Sequence, residues 1–554
     1  MTGGLVLKTI GAVAELALPR VLAYLVDTVA PTGDYGAIAL CGAVMLLCAV
    51  AAFLFNVWAN RTAAWVAMAV TRSLRRDLFT KINLLSCRKM DEFTVPSVIS
   101  RLTSNTYDVN HMLGVMQRMG VRAPILVLGG IAMTLTLDPM LTLVLVGAVP
   151  LIFFAVFLIT KMGIKRYAKA YEAQDGMVRI VRENATGIRI IKALSKTEHE
   201  KARFDEHNAA LSKRETRAAA LMGLSSPIMN LILNLGLVGV LAVGAVRIDN
   251  GDIKPGVIIA FLTYFTIILN ALIAITRVFV IYSRALASSR RIFEVMNTQS
   301  DMPLAVLAQK EDAAHIRFEN VGFSYLGKKE NVSDVSFALH KGQTLGIVGG
   351  VGSGKTTLVK LLLRFYDVDR GSITIDGRDV RGIPPAELYR MFGVVFQHDI
   401  LFAASVTENV DFYRGVEASV PAALEAAQAD GFVAAFADGA AHRLAIKGAD
   451  LSGGQRQRLL LARALAGRSP VLILDDASSA LDYKTDAALR GAIAAHYADA
   501  TKVIVAQRVS SIRHADLILV LDGGRVVGQG THERLMQGCA IYQEMAALQM
   551  GEVT

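Results

Sequence analysis

Cysteine is rare in this chain: Cys41, Cys48, Cys87 and Cys539 are the only four in 554 residues, with no CxxC pair and no histidine cluster at ligand spacing. That argues against a thiolate metal site or a disulfide framework. Cys41 and Cys48 stand seven apart in an apolar helix, on one face but about two turns from each other, too far for a bridge. All four read as reduced packing residues. No cleavable leader is expected either, because Glu15 and Arg20 interrupt the first apolar run and no small-residue cleavage site follows. Charged residues make up only 19% of the chain, yet the net charge is +10. Lys and Arg crowd 61–118 and 162–217, between apolar runs, while the short connections on the other side are nearly free of them. This is the positive-inside pattern of a membrane protein, and it argues against a nucleic-acid partner.

The first half consists of long apolar runs, whereas the second has the Gly, Asp and Arg content and short alternating segments of a soluble α/β domain. A bilayer core of about 30 Å needs roughly 20 mainly apolar residues per helix. Six candidates lie at approximately 5–27, 37–60, 120–137, 140–163, 220–246 and 256–284, separated by breakers such as Pro31, Gly33, Asp138, Pro139, Asn250 and Gly251. An even number puts both ends on one side, and the basic segments mark that side as cytoplasmic. These basic connections keep helical periodicity, so the spans are expected to continue as rods beyond the lipid.

Polar residues inside the spans are Glu15, Arg20, Asn230, Asn234, Asn270 and Arg277. An ionisable group in a membrane costs about 2.5–3.5 kcal/mol even on the lenient insertion scale, so these should face a bundle interior or a watery cavity. They serve either as interhelical contacts or as a substrate pathway.

In the second half, GGVGSGKTT follows the apolar strand Thr344 to Val348 and precedes the helical run LVKLLLRF. Gly349, Gly350, Val351, Gly352, Ser353, Gly354, Lys355, Thr356 and Thr357 match a phosphate loop. Its glycines let backbone N–H groups approach phosphate oxygens, Lys355 reaches the β and γ phosphates, and the Thr356 hydroxyl binds magnesium. Farther on, LSGGQRQR opens a helix, and Leu451, Ser452, Gly453, Gly454 and Gln455 place backbone N–H groups at its N-terminus as an anion site. Ser452 also suits the N-cap of an ordinary helix. The run Val471 to Leu474 reads as a buried strand delivering Asp475 to a magnesium ion.

Phosphate loop, Gln397 in VVFQ, LSGGQ, LILDD and SALD, in that order, resemble the ATP-binding-cassette family over about 315–554. Preceded by six spans, the chain resembles an exporter half-transporter. The expected fold is an all-α six-helix transmembrane domain (1–295), a linker (296–314), then an α/β P-loop ATPase domain with a helical subdomain (315–554). The resemblance implies ATP and Mg2+ as cofactors, Tyr325 stacking on adenine, Gln397 contacting the metal, Asp475 holding it through water, and Asp482 in a dimer-interface loop. It also implies a second half-transporter as partner, because LSGGQ of one chain closes over ATP bound to the other. Segments 92–105 and 183–204 resemble the two cytoplasmic coupling segments that dock on the cassettes, although Pro96, Ser97 and Ser104 replace a Gly, Asp and Asn often found there.

Two departures fall on the chemistry. Asp476 stands where the family has the glutamate that positions the attacking water, and Gln507 where it has the histidine that contacts the γ-phosphate. Asp476 is one methylene short, retracting the carboxylate by roughly 1–1.5 Å, and misplacement of about 1 Å can cost on the order of 10²-fold in rate. Gln507 donates a hydrogen bond but cannot carry a proton or positive charge. ATP should bind here and be hydrolysed slowly. The pair resembles the degenerate-site subunit of bacterial heterodimeric multidrug exporters, as do Arg122, Ala123 and Pro124 followed by Gly129 and Gly130. Ile446 departs from a glutamate upstream of the signature, while LSGGQ itself is intact and would complete the partner's site; the alternative is a homodimer with two slow sites.

The expected function is ATP-driven movement of an amphipathic small molecule, drug, lipid or peptide across a bacterial plasma membrane. Import of a metal chelate by the same fold, and an ATP-gated channel or regulatory subunit, are the alternatives. Vesicle assays of defined orientation separate the first, and ATP-dependent accumulation against a gradient separates the second.

Overall fold

The computed structural model describes residues 2–299, 301–307, 309, 312–325, 327 and 329–550; residues 300, 308, 310 and 311 of the expected linker lie outside them. Contacts divide the chain into two units. One joins the residues up to Asn83 with Pro96–Thr298, and the other joins Leu84–Val95 with the residues from Gln299 on.

Among the described residues six helical segments of the first unit are long and apolar enough to cross a membrane: Thr2–Thr32, Tyr35–Asn83, Val95–Leu137, Pro139–Ala193, Thr197–Asp249 and Pro255–Met296. Each contains one span expected from the sequence, and most run far past it. The 49-residue helix Tyr35–Asn83 extends roughly 74 Å at 1.5 Å per residue, more than twice a bilayer core. Turn chemistry sets the ends. Gly33 takes a left-handed conformation, φ 70°, after Thr32. Asp138 accepts a hydrogen bond from the Leu141 N–H at 2.8 Å ahead of Pro139 at the first helical position, and its other oxygen pairs with Arg247 at 3.0 Å. Gly129 and Gly130 let the third span pack close: a Cβ on Gly129 would stand 2.6 Å from a Leu16 methyl, and one on Gly130 would stand 2.7 Å from the Ile268 side chain. Tyr264 buries its hydroxyl by donating to the Leu16 carbonyl at 2.6 Å.

The second unit holds two sheets. β1 (Ile316–Phe323), β2 (Val332–Leu339), β4 (Arg370–Ile375) and β5 (Arg378–Asp379) form an antiparallel sheet in the order β2-β1-β4-β5. β3 (Thr344–Gly349), β6 (Phe392–Val395), β7 (Val471–Asp475), β8 (Thr501–Val505), β9 (Leu517–Asp522) and β10 (Arg525–Gly530) form the second sheet, in the order β10-β9-β3-β8-β7-β6. All its pairings are parallel except β9 with β10. A parallel sheet is covered on both faces, and β7 is buried at every residue. A separate helical cluster packs Val406, Val410, Leu424 and Leu459 with their neighbours.

Residues 84–95 lie between the second and third spans in sequence yet fold with the cassette. Ser86 caps helix Cys87–Phe93, which ends at Thr94 with φ 59°. Cys87 packs on the cassette core, and the Tyr366 hydroxyl donates to Asp91 at 2.6 Å. The docking segment expected at 92–105 shares only 92–95 with this element. Residues from Pro96 on belong to the membrane unit, where Arg101 bonds the Arg291 carbonyl at 2.9 Å and Glu294 at 2.7 Å. Thr94, with φ 59° and ψ 145°, breaks the helix between the two units. Cys41, Cys48 and Cys87 are half-buried, Cys539 is buried, and all four are free thiols.

Candidate functional site

Parallel strands β3, β6, β7 and β8 present their C-terminal ends together, which is where ligands bind in open α/β sheets. β3 ends at Gly349 and the loop runs into helix Lys355–Leu362. Gly354 has φ 100°, and a Cβ there would meet the Asn331 carbonyl at 2.9 Å, so only glycine fits. Lys355 donates to the carbonyls of Gly349 and Gly350 at 2.8 and 2.7 Å, holding its ammonium over the loop. Burial lowers its pKa below the ordinary value, opposed by Asp476 and Asp475. Ser353 Oγ is buried without a hydrogen-bond partner, while Val351 is fully exposed.

Asp475 ends β7 with its side chain buried, and both carboxylate oxygens lack a hydrogen-bond partner. Burial pushes the carboxyl above its ordinary value, opposed by the neighbouring Thr356 hydroxyl and raised further by Asp476. An orphaned carboxylate beside a hydroxyl, with the Gln397 amide following β6, is a hard oxygen donor set that fits Mg2+. Ser353, Lys355 and the loop N–H groups fit a polyphosphate. The residues present therefore suit ATP with Mg2+.

The altered positions meet. Asp476 takes a left-handed backbone conformation, φ 51°, and its Oδ2 accepts from Gln507 Nε2 at 3.0 Å and from Gln397 Nε2 at 3.3 Å. One oxygen of the shortened acid is thus held by two neutral amides. Its backbone carbonyl accepts from Gln457 Nε2 at 3.0 Å, and Gln457 Oε1 accepts from the Ala480 N–H at 2.9 Å.

Ser452 and Gln455 form a reciprocal capping box on helix Gly453–Ala466: Ser452 Oγ accepts from the Gln455 N–H at 3.2 Å, and Gln455 Oε1 accepts from the Ser452 N–H at 2.9 Å. The signature is therefore also a true helix cap, with Leu451 buried beneath it and Gly453 and Gly454 against Ala480. Asp482 caps the next helix, Tyr483–His496, accepting from the Thr485 N–H at 2.9 Å, which lowers its pKa. Tyr325 lies at the phosphate-loop helix. Its hydroxyl is 3.4 Å from Thr357 Oγ1, its ring meets Tyr366 edge-on at 5.1 Å, and the Lys360 ammonium sits 5.6 Å from its centroid. Ile446 is exposed.

In the membrane unit, Glu15 binds Arg122, a partner 107 residues away, and Arg20 Nη1 reaches Thr136 at 3.4 Å. Asn230, Asn234, Asn270 and Arg277 are exposed on the single chain. Sequence reasoning missed Arg122 as the mate of Glu15. It also missed buried Lys8, Gln457, and Gln549, whose amide accepts from the Val509 N–H at 2.7 Å and donates to the Gln507 carbonyl at 2.9 Å. The only available signal was a Lys seven residues before Glu15 in an apolar run.

Residues 1–272 match the family description "ABC transporter transmembrane region", and 332–479 match "ABC transporter". An uncharacterized ABC transporter ATP-binding protein of Mycobacterium tuberculosis is 34% identical over 98% of this chain and 95% of its own length. The ATP-dependent lipid A-core flippase of Vibrio cholerae is 29% identical over 88% and 85%. The structure of a bacterial Atm1-family ABC exporter with ATP bound superimposes with TM-score 0.86 at 25% identity, covering 100% of this chain and 98% of that one. The chain therefore belongs to the ABC transporters, as an exporter half-transporter that works as a dimer in the plasma membrane, with six spans and a cytoplasmic ATPase domain that hydrolyses ATP with Mg2+.

Proposed function

We propose that this chain is the slow-site subunit of a heterodimeric exporter: it holds ATP at its own phosphate loop and lends its signature to the faster site of a different partner. The observation that carries this reading is the bonding of Asp476, whose Oδ2 accepts from both Gln507 and Gln397. A carboxylate engaged by two neutral amides, and one methylene short, is poorly placed to orient water. Neither amide can deliver positive charge to a transferring phosphoryl group. Binding groups are otherwise present, with Lys355 over the loop, orphaned Ser353, and Asp475 beside Thr356. Asp475 and Thr356 would hold Mg2+, which would supply positive charge to the phosphates. The capped signature supports the second role, since the box fixes Ser452 at the start of the helix and does not use the Gly453 and Gly454 N–H groups.

The cargo in this reading is an amphipathic compound, a class that the lipid-handling relative supports. The experiment is to purify the chain alone and measure nucleotide binding and phosphate release. MgATP should bind, with turnover at least about 10²-fold below a site bearing Glu and His. Vigorous hydrolysis by the isolated chain contradicts the reading.

A further inference from the structure

Helix Ala540–Met550 reaches the loop that carries Gln507 through a face that no motif marks. Tyr542 and Ala546 stand about one turn apart on it, both fully buried, and the Tyr542 hydroxyl shares a hydrogen bond with His532 Nδ1 at 2.8 Å. Their apolar cluster contains Val348, the residue before Gly349 of the phosphate loop, together with Ala506 and Val509, which flank Gln507 and Arg508. Gln549, seven residues after Tyr542 and three after Ala546, continues the same face. There the apolar stripe gives way to an amide that is engaged at both ends. Its Oε1 accepts from the Val509 N–H at 2.7 Å, and its Nε2 donates to the Gln507 carbonyl at 2.9 Å. One planar group thus ties the backbone on both sides of Arg508.

The tied stretch begins where the sheet ends. β8 stops at Val505, and Ala506 still donates to the Ile347 carbonyl at 3.1 Å, so Gln507 lies just past this sheet bond. A loop residue samples several backbone wells, and two bonds from one side chain narrow them. The Gln507 amide nitrogen has two N–H donors. One goes to Asp476 Oδ2 at 3.0 Å, and the other has no partner among the described residues. Asp476 in turn lies close enough to Lys355 to oppose the lowering of its pKa. Gln507 therefore stands at the outer end of the phosphate site with one donor to spare.

We propose that Gln549 is a positioning residue of the nucleotide site: it fixes the backbone of Gln507 so that the spare N–H meets the terminal phosphate of ATP while the other stays on Asp476. This rests on the reading that the chain holds ATP at its own phosphate loop. It does not depend on how fast that ATP is hydrolysed.

The test uses the full-length chain in phosphatidylcholine nanodiscs and compares the magnesium complexes of ADP and of a non-hydrolysable ATP analogue with an imido β–γ bridge, each displacing N-methylanthraniloyl-ADP. Losing a hydrogen bond to a charged phosphate should lower the preference for the triphosphate by up to about tenfold in Gln507→Ala. Gln549→Leu keeps similar bulk but makes neither bond, and should lower that preference by at least about threefold. ADP affinity should stay within about twofold, because Tyr325, Lys355 and Thr356 are untouched. The double variant should match Gln507→Ala alone, since Gln549 acts through that residue. Hydrogen exchange in the peptide carrying Val509 should rise in Gln549→Leu while strand Leu517–Asp522 stays protected, the mark of a released loop on an intact fold. A merely structural Gln549 would weaken both nucleotides equally or neither. Either of those results, additive losses in the double variant, or an unchanged preference in Gln507→Ala overturns the proposal. Vigorous hydrolysis of ATP by the chain would contradict the slow-site reading and leave these binding results untouched.

Discussion

Asp476 shows at the scale of one residue how a small chemical change is built into a site. Its left-handed φ of 51° is a conformation that aspartate adopts more readily than most side chains. From there its short carboxylate reaches Gln507 and Gln397. Glutamate at this position would extend about 1–1.5 Å farther toward the phosphate loop, and histidine at 507 would restore a group able to bear charge. In the assembled complex the double substitution Asp476→Glu with Gln507→His should raise steady-state ATPase severalfold, short of the roughly 10²-fold that misplacement alone accounts for. No gain would place the remaining defect in the partner's signature, and a full second site would show that signature to be intact. Asp475 and Lys355 were legible because each sits at a local boundary, an apolar strand ending in acid or a glycine loop opening a helix. The amide pair around Asp476 was not legible, because it joins residues 79 and 31 positions away.

At the scale of elements, the six spans could be read from apolar length, but the short helix Cys87–Phe93 could not. Seven mixed residues carry no periodic signal, and the bond that fixes them, Tyr366 to Asp91, spans 275 positions. Asp91→Ala would leave a largely buried tyrosine hydroxyl without its acceptor, at a cost of about 1–3 kcal/mol. The expected result is an assembled complex that still binds ATP but loses most of its transport and substrate-stimulated ATPase. Transport equal to the wild type would mean this helix carries no coupling. The third span offers a packing test. Gly129→Val would drive a side chain into Leu16, whose methyl lies 2.6 Å from where the new Cβ would stand, and overpacking of this kind costs about 1–3 kcal/mol. A thermal unfolding midpoint lowered by several degrees in detergent should result, and an unchanged midpoint would show that the first and third spans separate easily.

At the scale of the whole molecule, the proposed reading has one chain serve two ATP sites with different parts. The Gln457 side chain ties the signature helix to the Asp476 carbonyl and to the Ala480 N–H of the following loop. Two substitutions separate their roles. Gly453→Glu fits the fold, because a Cβ at Gly453 makes only ordinary contact with Ala480 at 3.7 Å, yet it places an anion where the partner's γ-phosphate would lie. Asp476→Ala frees two exposed amides to water and keeps the backbone carbonyl that Gln457 binds. The decisive measurement is steady-state ATPase of the complex assembled with its partner half-transporter and carrying each change in this chain, with assembly verified by size-exclusion chromatography. Gly453→Glu should lower hydrolysis by about 10²- to 10³-fold, the cost of losing comparable transition-state donors, and Asp476→Ala should change it by less than about threefold. Equal losses, or a larger loss from Asp476→Ala, would make this chain's own site the working one and contradict the account.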